Sequence, residues 1–159
     1  MRRNPIGRRA IALAGLLALV ALPSCLCNRV TGSGRAAVDK RALTTFREID
    51  VGGSLRLVVE VDSTFTGAPE VEIRGDDNIV PLVTTRVSGD TLVIKTGNEW
   101  LSPKLPLMVS VRVTYLEQLE LAGSTDALVR GLDGDRFEID CAGSADVILI
   151  GRVVELRID

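Results

Sequence analysis

Leu119-Glu120-Leu121-Ala122-Gly123-Ser124-Thr125-Asp126 is followed by Ile139-Asp140-Cys141-Ala142-Gly143-Ser144-Ala145-Asp146. The Gly-Ser steps of the two octets lie 143 − 123 = 20 residues apart, and Gly131 and Gly151 close the units at the same interval. Leu156-Arg157-Ile158-Asp159 then restarts the strand of Phe137-Glu138-Ile139-Asp140, one residue early. A period this short does not suit a helical pair, and no 3.6-residue periodicity runs through it. It predicts the coil of a β-solenoid. Stacked coils place equivalent residues about 4.8 Å apart, so Leu119 should meet Ile139 and Leu121 should meet Cys141. The expected fold class is therefore all-β: a right-handed parallel β-helix with short coils, preceded by a more irregular part that contains a hairpin.

The same pattern appears upstream. Ile49-Asp50-Val51-Gly52-Gly53-Ser54 matches Leu119 to Ser124 place by place: apolar first and third, an acid between them, then a Gly-Ser corner. Leu55, Leu57, Val59 and Val61 alternate with mostly polar residues, as do Leu107, Val109, Val111 and Val113, so both runs read as half-buried strands. Thr84 to Val87 and Thr91 to Lys95 flank Ser88-Gly89-Asp90 and read as a hairpin. Asp76-Asp77-Asn78 is placed to cap a short helical turn before Pro81. Val147-Ile148-Leu149-Ile150 is apolar on both faces, which predicts cover on both sides, supplied by the N-terminal half from Arg47 to Lys95, with another molecule as the alternative cover.

The first 24 residues read as an export signal. Four arginines precede an apolar run from Ile11 to Leu22, and those 12 residues are too few to span a bilayer as a helix. The run ends in Leu22-Pro23-Ser24-Cys25, which resembles a bacterial lipoprotein cleavage site and makes Cys25 the candidate lipidated residue. Residues 25–45, with Thr31-Gly32-Ser33-Gly34, read as a lipid anchor followed by a flexible tether. Residues 46–159 form the folded domain. Leu26 follows the cysteine where an inner-membrane retention signal would have Asp, so the expected place is the outer membrane or periplasm rather than the cytoplasm.

Charge and residue usage exclude several functions. Removing the four leader arginines leaves 15 basic residues against 21 acidic ones, a balance of −6 that argues against nucleic acid. There is no histidine, which removes Ser-His and Cys-His catalytic pairs and His-containing zinc sites. No phosphate-binding or dinucleotide fingerprint appears, and no cofactor is expected. For a calcium ladder, to which Asp133-Gly134-Asp135 could add although it reads first as a turn, the candidate metal ligands are Asp126 and Asp146, which occupy one repeat position. The preferred reading is that each accepts hydrogen bonds from its own corner. Aromatic residues are 3% of the chain, which leaves Trp100 and Tyr115 as candidates for stacking a sugar; Trp100 is the candidate ligand contact, but the preferred reading is that it folds back over the end of the coils. Cys141 reads as a small core residue.

The chain resembles the autotransporter-adhesin head domains known as head GIN domains. The resemblance rests on Phe46-Arg47-Glu48-Ile49-Asp50-Val51-Gly52-Gly53, Gly75-Asp76-Asp77-Asn78-Ile79-Val80-Pro81, Gly89-Asp90-Thr91-Leu92-Val93-Ile94 and the two Ala-Gly-Ser corners. It implies a bacterial, secreted or anchored, mostly β protein. The expected function is thus non-enzymatic: a lipid-anchored envelope protein that binds a surface ligand, glycan or protein, or serves a structural role. The alternative is a small calcium-dependent carbohydrate-binding or polysaccharide-active protein. A monomer is expected, because charged residues blunt the C-terminal edge strand, with a dimer through that edge as the other outcome.

Overall fold

The computed structural model describes residues 29–97 and 99–159. The chain is all-β. Its strands are β1 (Arg29–Thr31), β2 (Ala36–Ala42), β3 (Glu48–Val61), β4 (Glu70–Asp76), β5 (Val83–Ser88), β6 (Thr91–Thr96), β7 (Trp100–Ser102), β8 (Met108–Val113) and β9 (Gln118–Ile158). Among the described residues the only helical element is a 3-10 turn over Val80–Leu82. Pro81 sits in its first turn, and no side chain caps it, contrary to the role expected of Asp76-Asp77-Asn78.

β3 is the hub. Its apolar residues alternate across 14 residues, and the Gly52-Gly53 step in the middle lets it bend. One edge of β3 is shared: Glu48–Gly52 pairs in parallel with β6, and Arg56–Val61 pairs in parallel with β8. The other edge pairs in parallel with β9 over all but its last residue, Glu48 opposite Gln118 through Glu60 opposite Arg130. Antiparallel partners extend both arms, β5 beyond β6 and β4 then β2 beyond β8. The outcome is a strongly curled mixed sheet, a half-barrel, with the core on its concave side. Parallel stacking of the kind expected is confined to β3, β6, β8 and β9 in this sheet; the antiparallel pairs of β2, β4 and β5 make the whole a mixed half-barrel and not the right-handed parallel β-helix expected from the repeat. The hairpin is present as β5–β6, with Gly89 at φ 63° in its turn.

β9 holds the repeat. Its second coil lies on its first, with the Glu138 N–H donating to the Glu117 carbonyl at 2.9 Å. Its last strand returns onto the second coil through a parallel pair of bonds, Asp159 N–H to Ile139 and Cys141 N–H to Asp159. That register puts Asp159 beside Asp140, a step of 19 residues, as the early restart of the sequence predicts. The corners form a column: Gly53, Gly123 and Gly143 have φ of 129°, 107° and 129°. A Cβ on Gly123 would collide with the carbonyl of Gly53, and one on Gly143 with that of Gly123. Both the positive φ and the close approach demand glycine. Gly151 departs from the expected equivalence. It lies over Leu132, not Gly131, so the lower coil holds one residue more than the upper. Gly131, at φ 78°, is suited to hold that extra residue as a bulge.

Ile49, Val51, Leu57, Val59, Leu119, Leu121, Val129, Phe137 and Ile139 are buried along the concave face. Side chains of this size each contribute about 1.5–3 kcal/mol on full burial. Burial fades toward the C-terminus. Cys141, Val147, Leu149 and Val153 are only partly covered. Leu156 and Ile158 continue the inward row but remain 45% and 66% exposed. The expectation that the N-terminal half covers both faces of the second strand fails. Ile148 is 61% exposed and Ile150 55%. The cause is geometric: β5 and β6 join β3 edge to edge through backbone bonds, extending one sheet, rather than packing face to face over β9.

Gly143→Val should lower the free energy of unfolding by more than about 1–3 kcal/mol, since it forces a β-branched residue into positive φ against a neighbouring backbone. Gly97→Val meets first the far end of the Glu99 side chain and should cost clearly less. Denaturant titration of the two variants checks this; equal losses would refute the corner column.

Candidate functional site

Two surfaces carry the polar chemistry of the fold: the convex face of the coils and the junction that holds the N-terminal segment. On the convex face, strand alternation turns the residues between the core positions outward. Asp50 stands opposite Glu120, and the repeat carries the row on to Asp140 and then Asp159. A second row runs through Glu48, Gln118, Glu138 and Arg157, with Arg157 Nη1 3.7 Å from Glu138. Lys95 approaches Asp50 at 3.7 Å, and Arg47 reaches Glu117 at 2.9 Å while lying over the Tyr115 ring. The result is an open, acid-rich ladder of side chains repeated at strand spacing.

The expected ladder of Asp126 and Asp146 is flanked at its Asp126 end by a cation. Arg56 is the register partner of Asp126 and comes within 3.8 Å of its carboxylate, and both aspartates are exposed. Neither carboxylate is among the hydrogen-bond acceptors of its own corner; there the Thr125 hydroxyl donates to the Gly53 carbonyl at 3.3 Å. Cys141 lies partly buried against the core in the inward row. Cys25 lies outside the described residues.

The junction is the feature that sequence reading missed. The flexible tether expected over residues 25–45 is, from Arg29 onward, part of the fold. β1 pairs with β7, and β2 pairs with β4 over seven residues. Between them, Thr31 to Arg35 is gripped by Asp76-Asp77-Asn78. The Asn78 amide donates to the Thr31 carbonyl at 2.9 Å and accepts from the Ser33 N–H at 2.8 Å. Asp77 accepts from the Ser33 hydroxyl and pairs with Arg35 at 2.9 Å. Asp76 is fully buried and accepts three backbone N–H bonds, from Gly34 at 2.6 Å, Lys104 at 2.9 Å and Leu105 at 3.1 Å. Burial opposes its ionisation, but these N–H donors outweigh burial and hold its carboxyl below the usual range. Gly32 leaves the room that Asp76 occupies. The sequence signal was present: three polar residues in a row before a Pro-limited turn too short to need three caps.

Beside this junction, Trp100 is 70% exposed on the outer side of the β1–β7 ribbon and does not fold back over the coils. Leu101 and Val30, one place along each strand, turn inward against the core.

Residues 45–159 match the family described as "Putative auto-transporter adhesin, head GIN domain". The chain belongs to this family. The fold is shared with solved structures from Parabacteroides and Bacteroides. One, described as a putative lipid binding protein from Parabacteroides distasonis, is 25% identical with a TM-score of 0.68, over 79% of this chain and 54% of that one. A putative adhesin from Bacteroides fragilis is 20% identical with a TM-score of 0.68, over 81% and 60%. Another from Parabacteroides merdae is 19% identical with a TM-score of 0.62, over 83% and 61%. The chain thus spans little more than half the length of these neighbours. No curated protein matches it. The family and two of these neighbours are described as putative adhesins, and none of these neighbours carries an enzyme's name.

Asp76→Asn should lower the melting temperature more than Asp77→Asn, because the new amide presents N–H groups to N–H donors in a buried site. Hydrogen exchange should quicken at the amides of Gly34, Lys104 and Leu105; unchanged protection there would show that the aspartate does not hold the junction.

Acid should also weaken the fold. Thr64 and Arg112 donate to Asp62 at 2.6 and 2.7 Å and lower its pKa from 3.8 to about 2. A depressed folded pKa means that the unfolded chain takes up the proton first as pH falls. The stabilisation is therefore full above about pH 4 and lost on descending toward pH 2. Asp62→Asn should flatten that part of the melting-temperature profile, and an unaltered slope would remove Asp62 from the account.

Proposed function

We propose that this chain is a non-enzymatic, lipid-anchored protein of the bacterial envelope whose stacked, solenoid-like coils present an adhesive face. The observation that carries the reading is the convex ladder. Asp50, Glu120, Asp140 and Asp159 repeat one chemical group at strand spacing across an open surface. An open, periodic face suits an extended ligand that makes many weak, equivalent contacts, whereas catalysis needs converging groups in a site that excludes water. The family membership supports surface binding, and the leader ending in Leu22-Pro23-Ser24-Cys25 supports acylation at Cys25. The description of one neighbour as a lipid binding protein is compatible with a molecule that works against a membrane. The ligand is a surface glycan or protein, and the protein acts as a monomer.

A glycan and matrix-protein array probed with the wild-type chain and with Glu120→Lys/Asp140→Lys tests the reading. Binding that falls at least about tenfold in the double variant, a loss of roughly 1.4 kcal/mol, is expected. Binding to nothing on the array, or binding indifferent to the charge reversal, would overturn the adhesive face. Binding abolished by chelation alone would replace it with a calcium-dependent lectin. Cell fractionation of Cys25→Ser checks the anchor, since membrane association should be lost.

A further inference from the structure

We propose that the β1–β7 ribbon is a membrane-seating surface, with Trp100 and Arg29 resting in the headgroup layer of the bilayer that holds Cys25. This rests on the anchoring reading above and goes beyond it, because it fixes how the domain sits on the lipid rather than whether it is attached. Arg29 is the first residue of β1 and is the register partner of Trp100. Only four residue steps separate Arg29 from Cys25. Four residues span at most about 14 Å even when fully extended. Had residues 25–45 been a free tether, the domain could have stood several times farther from the membrane. The grip of Asp76-Asp77-Asn78 on Thr31 to Arg35 removes that freedom. The ribbon is therefore held close to the lipid surface by covalent reach alone.

Its chemistry matches that surface. Trp100 is 70% exposed, and tryptophan is the side chain that settles at membrane interfaces, where the ring meets apolar chains and the indole N–H meets water. Beside it lies an open depression of about 500 Å³ lined by Arg29, Trp100, Leu101 and Ser102. Arg29 donates to the Ser102 hydroxyl at 2.9 Å, which holds the guanidinium on the same outer face. Arg29 and Lys104 lie in the two segments that meet here, with Glu99 beside them; Arg35 is paired with Asp77, and Asp76 is buried beneath. Arg29, exposed and held beside Trp100, is the cation that turns this side toward anionic headgroups and the acid-rich coils away from them.

The experiment uses the fact that Trp100 is the chain's only tryptophan. The full-length acylated protein is reconstituted into vesicles of phosphatidylethanolamine with a quarter phosphatidylglycerol, and Cys25→Ser in buffer is the reference. Mass spectrometry reads acylation of Cys25 separately. The expected result is a blue-shifted emission, quenching by lipids brominated high on the acyl chain, and acrylamide quenching reduced by about twofold or more. Arg29→Glu should weaken the lipid quenching while leaving acylation and vesicle capture intact. Protein that is acylated and vesicle-bound, yet has Trp100 as open to acrylamide as in buffer, would overturn the seating and leave the anchor standing. Emission that responds to an added glycan and not to vesicles would likewise overturn it, in favour of sugar stacking. Absence of acyl chains on Cys25 would overturn anchor and seating together.

Discussion

The parallel register between β3 and β9 is the constraint on which the rest of the structure depends. It is set where three glycines at positive φ lie one above another, Gly53, Gly123 and Gly143. Backbone approaches backbone at that corner so closely that no side chain fits between. The bend that Gly52-Gly53 puts into β3 is thus copied into each coil laid upon it. The inward rows of Ile49, Leu119 and Ile139 and the outward rows of Asp50, Glu120 and Asp140 are both consequences of that one alignment. A slip of one residue would exchange them, exposing the core and burying carboxylates.

The same bend explains why a sheet this size has a concave core without a covering layer. β3 turns at its middle, so its two halves hand on to two different neighbours, β6 and β8. The arms beyond them curl toward each other and enclose Leu57, Ile73, Leu92, Ile94 and Val109. Enclosure weakens along β9 because each further coil stands farther from those arms, and the apolar residues of the last coils are the most exposed.

Much of this was legible in the residues, and the failures share a cause. The repeat, its early restart and the alternating strands could be read because each is a local pattern with a fixed period. The β3 echo could be aligned with β9 because the corner chemistry is so demanding. What could not be read depends on partners far away in sequence. Thr31-Gly32-Ser33-Gly34 has the composition of a linker, and only the acceptors and donors of Asp76 to Asn78, more than forty residues on, make it rigid. Asp76 looked like a cap because an exposed cap and a buried acceptor of backbone N–H groups use the same residue. Val147 to Ile150 looked doubly covered because hydropathy does not distinguish a strand joined at its edge from one packed on its face. The slip that seats Gly151 over Leu132 was visible only at its end, in the early restart, and not where the extra residue enters.

The spacing of the register also sets an order of events during folding. β3 and the first coil of β9 are separated by 70 residues, whereas the later coils return after 20 and 19. Closing the longer loop costs about 1 kcal/mol more in chain entropy than closing either of the shorter ones. More important, the shorter closures gain little until a strand with a buried face is there to receive them. β3 therefore waits, one edge unpaired, until the chain as far as Arg130 is available, and its bend then serves as the template on which the remaining coils are laid in turn. A chain delivered from its N-terminus thus carries β3 for about 70 residues before its central pairing can form, with one edge of a strand whose inward row is apolar still looking for a partner.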